Sequence, residues 1–291
     1  MPILDGKLTA QKIKLEIKEQ VEKWVNDGNK KPHLAAILVG ANGASISYVS
    51  SKVKDCEEVG FDSTLVKLPD TVTEKELLKE IDKLNKDKGV DGFIVQLPLP
   101  KHINENLVTS AISPDKDVDG FHPVNIGKMV LNQPTFLPAT PYGIVQLLDV
   151  NNIDTYGKHC VVIGRSNIVG TPISILLSRN NQVGNCTVTL AHSRTKNLKE
   201  LTLQADILIV ALGKSEFVTA DMVKDSAVVI DVGINRIADK TRKSGYRLVG
   251  DVAYDEVKEK ASYITPVPGG VGPMTRIALM KNTLLAAKHR S

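Results

Sequence analysis

Short, unbroken apolar runs alternate along nearly the whole chain with stretches whose apolar residues recur at helical spacing. That alternation admits few folds. A run apolar on both faces marks a parallel strand, and parallel strands need a crossover between them, normally a helix. Ile13, Ile17, Val21 and Trp24 predict a helix over roughly residues 9–26. LAAILVG (34–40) reads as a buried strand, 44–59 as a helix and 64–68 as a strand. Thr73 and Glu76 form a capping-box pattern ahead of Leu77, Ile81 and Leu84, so another helix follows. GFIVQLPLP (92–100) reads as a strand ended by Pro98 and Pro100. Segment 113–140 breaks the pattern, with prolines and DVDGFHP. Thr140-Pro141 then reads as an N-cap with proline at the first helical position.

A second series begins at 158. HCVVIG is a strand, GTPISILLSR a helix and CTVTLAH a strand; ADILIVALG and SAVVIDVG are strands separated by a short TADMVKD helix. TPVPGGVGPMT is a Gly/Pro loop opening into a last helix. The expectation is an α/β chain of two domains with a boundary near 140–145, the second domain doubly wound and Rossmann-like. A length of 291 residues fits two domains.

Hydrophobic residues at 42% and charged residues at 24% describe an ordinary soluble globular protein. A net charge of +4, with lysines dispersed along helical stretches, argues against nucleic acid as partner. The longest apolar runs, such as ILIVAL (207–212), fall short of a membrane span, and the N-terminus lacks the apolar core of a signal peptide. Cys56, Cys160 and Cys186 are far apart and in no metal-ligand spacing, which predicts free thiols and a cytoplasmic location.

HCVVIGRSNIVGTP carries the nucleotide signal. Gly164 permits the tight turn after the strand, Gly170 lets the helix approach, and amides at the helix start can hold a pyrophosphate. The spacing is G-x-S-x-x-x-G, with Ser166 in the second position, so strand and helix context carries the argument. The next strand ends in His192, Ser193 and Arg194 without the carboxylate usual for NAD. With Arg165 beside them, these groups predict a pocket for the 2′-phosphate of NADP rather than NAD.

Tyr48 and Lys52 stand four apart on one helical face. A lysine pressed against apolar surface loses solvation and can do acid–base work, although by spacing alone an exposed lysine is commoner. Gln96 falls near the carboxyl end of a strand, where α/β ligands bind. Asp115, Asp117 and Asp119 surround a glycine turn that taken alone reads as solvated; they lack the glutamate of a calcium loop, so no metal site is expected. Gly269, Gly270 and Gly272 precede the last helix and would bring backbone close to a flat ligand.

Taken in order, SYVSSKVKDCEEVG, GFIVQLPLP, DKDVDGFHPVNIGKM, PATPYGIVQLL, VVIGRSNIVGTP and TPVPGGVGPMT resemble the bifunctional methylenetetrahydrofolate dehydrogenase/methenyltetrahydrofolate cyclohydrolase family over essentially the whole chain. The resemblance implies that Lys52 is the catalytic lysine, that Tyr48 lines the folate pocket and holds it, and that Gln96 tunes it. It implies that Asp119 grips the pterin, whose amino–oxo edge offers two donors to a carboxylate. It places Pro268, Gly270 and Val271 beside folate, and Gly164, Arg165, Ser166, Gly170, Ser193 and Arg194 at NADP. It implies a folate-binding catalytic domain of 1–142 plus 271–291, a nucleotide-binding domain of 143–270, a cleft between them, a homodimer, and a place in one-carbon metabolism. Two other readings carry different chemistry: a shikimate-type NADP dehydrogenase oxidising an alcohol, and a non-catalytic folate- or dinucleotide-binding regulator.

Overall fold

The computed structural model describes residues 3–40, 43–242 and 245–289. By internal contacts the chain divides into two units, Lys12–Ala139 with Arg276–Ser291, and Met1–Gln11 with Thr140–Thr275. The expected division, 1–142 plus 271–291 against 143–270, differs from these units at residues 1–11, 140–142 and 271–275.

In the first half, α1 (Gly6–Asn26), β1 (His33–Val39), α2 (Gly43–Val59), β2 (Asp62–Leu68), α3 (Glu74–Lys86) and β3 (Gly92–Val95) follow one another. The strands form a parallel sheet in the order β2-β1-β3. β1 is apolar along its length because it is central and covered on both faces. The capping box forms as expected: Thr73 Oγ1 accepts from the Glu76 amide, and the Glu76 carboxylate accepts from the Thr73 amide. Leu77, Ile81 and Leu84 seat α3 on a core with Ile37, Phe93 and Val95.

Three expectations are corrected in this half. The third strand stops at Val95, since the prolines that follow cannot continue the ladder. Segment 113–140 contains a helix, α5 (Pro123–Val130), after the short α4 (Glu105–Ala111). His122 caps α5 by accepting from the Val124 amide, and Pro123 sits in its first turn. The acidic turn is solvated only at Asp115, since Lys116, Asp117 and Val118 are buried and Asp119 is half-buried. Residues 116–118 run beside β3, where Phe93 donates to the Lys116 carbonyl and bridges Asp117. Gly92 makes room for this, since a Cβ there would lie 2.2 Å from Val118 Cγ1. The Lys116 amine donates to the Leu84 and Asp87 carbonyls, compensating the end of α3.

The second half runs α6 (Ala139–Val150), β4 (His159–Ile163), α7 (Gly170–Ser178), β5 (Thr187–Ala191), α8 (Leu198–Thr202), β6 (Ile207–Val210), β7 (Val228–Asp231), β8 (Asn235–Ala238), β9 (Tyr246–Val249), α9 (Tyr254–Val257) and β10 (Tyr263–Ile264), and α10 (Val271–His289) closes the chain. Five strands form a parallel sheet in the order β10-β7-β6-β4-β5, a doubly wound arrangement whose order reverses at β4. Thr140 lies inside α6 rather than at its cap, and its hydroxyl meets that of Thr275 at 3.0 Å. TADMVKD shrinks to a 3-10 turn at Ala220–Met222, and the antiparallel β8–β9 hairpin is an addition the sequence reading lacks.

Two buried aspartates tie the carboxyl rim of this sheet. Asp251 accepts from the amides of Leu212, Gly213 and Lys214 and from Asn235 Nδ2. Asp231 accepts from the amides of Gly233, Asp251 and Val252. Burial still pushes the Asp231 carboxyl up to about 7. The three cysteines are free and buried.

Candidate active site

In an open parallel sheet, ligands bind beyond the carboxyl ends of strands that flank a reversal of strand order. In the first unit that place is the end of β1 and β3, and the sequence sends α2 and Gln96 there. Gln96 follows β3 directly, and its amide still donates to the Ile37 carbonyl at 2.9 Å. Its side-chain Nε2 donates to the Leu97 carbonyl at 2.7 Å, which leaves Oε1 aimed at the Lys52 amine 3.2 Å away.

Lys52 is 4% exposed, against the tendency of helical lysines to face water. Its amine lies 4.6 Å from the centroid of the Tyr48 ring, one helical turn earlier. Burial lowers its pKa; the Asp119 carboxylate opposes that shift and the Arg276 guanidinium adds to it. A lysine so placed holds its proton less firmly than an exposed one, as a group that takes and returns a proton requires.

Asp119 is half-buried beside this amine. Burial raises its pKa and Lys52 resists the rise. Gly120 after it has φ +74°, and a Cβ there would lie 2.6 Å from the Leu137 carbonyl carbon, so DVDG requires its glycine. Asn282 from α10 donates to the carbonyls of Val118 and Leu137 and fixes the loop. Asp117 is 1% exposed, with one oxygen accepting from the His122 amide and from Asn125 Nδ2. Burial takes its carboxyl up to about 7, those hydrogen bonds oppose the shift, and Asp119 adds to it.

Lys52, Tyr48, Gln96 and Asp119 thus come together from one helix, one strand end and one loop. Sequence reasoning missed Asp55 and Arg276. Asp55, one turn after Lys52, is 3% exposed and takes ion pairs from Lys14 and Arg276, each at 2.5 Å. The i+3 spacing from Lys52 is a signal for Asp55. Arg276 is 221 positions away and gives none.

In the second unit the strand order reverses between β4 and β6. Gly164 follows β4 with φ +117°, and a Cβ there would lie 2.1 Å from the Ala211 carbonyl oxygen just past β6. A Cβ on Gly170 would lie 1.9 Å from the Gly164 oxygen. Both glycines are therefore obligatory, and they form a shallow backbone cradle. Ser166 Oγ accepts from the amides of Val169 and Gly170, so the serine caps the start of α7. The amides of residues 165–168 then remain for a pyrophosphate. β4 and β5 are paired with Ile163 opposite Ala191, which puts Arg165 and Ser193 at the same level past the rim. Arg165, Ser193 and Arg194 are exposed, and His192 Nδ1 accepts from the Arg194 amide. The cradle and its cationic flank fit a dinucleotide bearing a further phosphate.

Pro268 is exposed, whereas Gly270 and Val271 are buried in the same unit. A Cβ on Gly270 would lie 2.6 Å from Thr265 Cβ, and its amide donates to the Pro266 carbonyl. The geometry of this loop is set by packing within its own unit.

A buried amine in one unit and a glycine-rich dinucleotide cradle in the other fit a nicotinamide-dependent oxidoreductase with acid–base chemistry. Family models agree. Residues 4–119 match the tetrahydrofolate dehydrogenase/cyclohydrolase catalytic domain, and residues 138–291 match its NAD(P)-binding domain. The chain is 68% identical over 287 residues to the bifunctional protein FolD of Cytophaga hutchinsonii, covering 99% of each. It is similar to the crystal structure of the bifunctional FolD methylenetetrahydrofolate dehydrogenase/cyclohydrolase from Campylobacter jejuni, with 48% identity, 100% of both chains covered and a TM-score of 0.93. The Trypanosoma brucei enzyme, solved with NADP and an inhibitor, is 37% identical over 99% of each chain with a TM-score of 0.93. The chain belongs to the bifunctional methylenetetrahydrofolate dehydrogenase/methenyltetrahydrofolate cyclohydrolase family.

Proposed function

We propose that this enzyme oxidises 5,10-methylenetetrahydrofolate with NADP and hydrolyses the methenyl product to 10-formyltetrahydrofolate, with Lys52 as the acid–base group of the hydrolysis. The observation that carries the reading is the Lys52 amine, 4% exposed and held at 3.2 Å from Gln96 Oε1.

Nicotinamide, when bound, supplies the hydride acceptor. Oxidation removes a hydride from the one-carbon unit while the folate nitrogens share the positive charge, so no protein base is required and alignment is the protein's task. Asp119 accepts from the pterin edge and orients the folate. Pro268, Gly270 and Val271 shape the loop beside it. Hydrolysis differs: water adds to the methenyl carbon and must lose a proton. The neutral Lys52 amine takes that proton and returns one to the nitrogen that departs, with Gln96 and Tyr48 fixing its direction.

Gly164, Ser166 and Gly170 form the pyrophosphate turn, and Arg165, Ser193 and Arg194 receive the 2′-phosphate. Such a cationic pocket without a carboxylate favours NADP over NAD. The folate-binding catalytic domain is 1–142 plus 271–291 and the nucleotide-binding domain 143–270. The enzyme works as a cytoplasmic homodimer in one-carbon metabolism. Among the described residues no helix is long and apolar enough to cross a membrane. An absorbance assay with methylenetetrahydrofolate and each cofactor in turn, following reduced cofactor and the methenyl chromophore, tests the reading. Faster turnover with NAD would overturn the cofactor assignment, and oxidation of shikimate-type alcohols in its place would overturn the substrate.

A further inference from the structure

We propose that Arg276, braced by Asp55, is a positioning residue for Lys52, setting the direction and charge state of the amine during hydrolysis. The proposal rests on the role given to Lys52 above.

The geometry is that of a clamp behind the amine. Lys52 and Asp55 are on the buried face of α2, and Cys56 follows on the same face. Arg276 Nε on α10 meets Asp55 Oδ2 at 2.5 Å, and Lys14 Nζ on α1 meets Asp55 Oδ1 at 2.5 Å. Lys14 also pairs with Glu58, one turn further along α2. Next to this, Cys56 Sγ meets Met280 Sδ of α10 at 3.8 Å. Asp55 therefore joins three helices through two cations, and its side chain is 5% exposed. A buried carboxylate with both oxygens engaged fixes the rotation of α2, and so the direction in which Lys52 leaves it.

Charge follows from the same arrangement. Groups from several elements surround the amine. Tyr48 and Cys56 come from α2, Gln96 from the end of β3, Asp119 from the loop between α4 and α5, and Arg276 from α10. Asp119 attracts a proton to the amine, and Arg276 is the one cation among these groups that repels it. Without Arg276, Asp119 would act unopposed except by burial, and the amine would hold its proton to higher pH.

The experiment measures both activities of the full-length enzyme against pH in Arg276→Gln, Arg276→Lys and Asp55→Asn. In Arg276→Gln the hydrolysis limb that reports the Lys52 amine should move to higher pH, and hydrolysis at neutral pH should fall roughly 3- to 10-fold. Dehydrogenase kcat should stay within about twofold, because hydride removal needs no base. Arg276→Lys keeps the charge and should restore the profile. Asp55→Asn leaves the guanidinium unneutralised and should move the limb to lower pH; it carries the test if circular dichroism shows Arg276→Gln unfolded. Equal loss of both activities with an unmoved pH profile, or a lowered Tm alone, would overturn the proposal and leave a structural clamp. Wild-type enzyme lacking either activity would instead remove the functional reading on which it stands.

Discussion

The Lys52 amine and the Gln96 carbonyl oxygen, 44 positions apart in sequence, meet at 3.2 Å where water barely reaches. A methionine at 52 keeps the length of the side chain and removes the proton acceptor. Lys52→Met should reduce hydrolysis of methenyltetrahydrofolate by about 100-fold or more and dehydrogenase kcat far less. Following decay of the methenyl absorbance beside formation of reduced cofactor reads the two separately. Parallel losses would assign Lys52 to binding.

Asp119 is the carboxyl group facing the Lys52 amine, half-buried and in a loop that α10 holds in place. Replacement by alanine removes two acceptor oxygens and leaves the loop backbone, so KM for folate should rise roughly 10- to 100-fold, the loss of a charge-assisted pair. Steady-state kinetics with saturating cofactor would show it. An unchanged KM would take Asp119 out of the folate site.

Gly164 has no room for a methyl group, with Ala211 oxygen 2.1 Å from where it would sit and φ at +117°. Gly164→Ala should cost about 2–4 kcal/mol of stability and displace the phosphate turn. Thermal denaturation should record a lower Tm and cofactor titration a weaker affinity. Retention of wild-type affinity would mean that the turn relaxes without consequence.

Asp117 gives a pH prediction whose sign follows from burial. Burial raises its carboxyl to about 7, well above the usual carboxylate range. The native state therefore holds the proton more tightly than the unfolded chain, and this group's contribution is greatest at low pH. It declines as pH rises from about 4 to about 7 and is level above that. The His122 amide and Asn125 Nδ2 reach one oxygen, a role the carbonyl of asparagine can take. Asp117→Asn should abolish this group's share of the fall in stability across that window, on the order of 3 kcal/mol. Urea denaturation at pH 4 and 7 measures it; an identical pH dependence in the variant would show that another group is responsible.

What could be read from the sequence was what neighbours in sequence decide. The Thr73–Glu76 capping box is complete within four residues, and the glycines at 164 and 170 declare a turn between a strand and a helix. Four strands of the second sheet follow from their apolar runs, whereas β10, two residues long, gives no such run. Short helices escaped: α4 spans seven residues and α5 eight, too few for a period to emerge from a proline-rich stretch. β8 and β9 alternate between half-buried and exposed positions and carry little apolar signal. The burial of Asp117 and Lys116 was invisible for another reason. Each is offset by partners from distant segments, such as the Leu84 carbonyl for Lys116, and spacing along the chain does not encode those.

Asp251 collects three consecutive amides after β6 together with Asn235 from the start of β8, and Asp231 at the end of β7 holds the amides of residues 251 and 252 in turn. Segments that would otherwise be separate loops are thereby wired to a common pair of carboxylates. Backbone at that edge is held by hydrogen bonds within the protein itself, so little of a ligand's binding energy goes to ordering it.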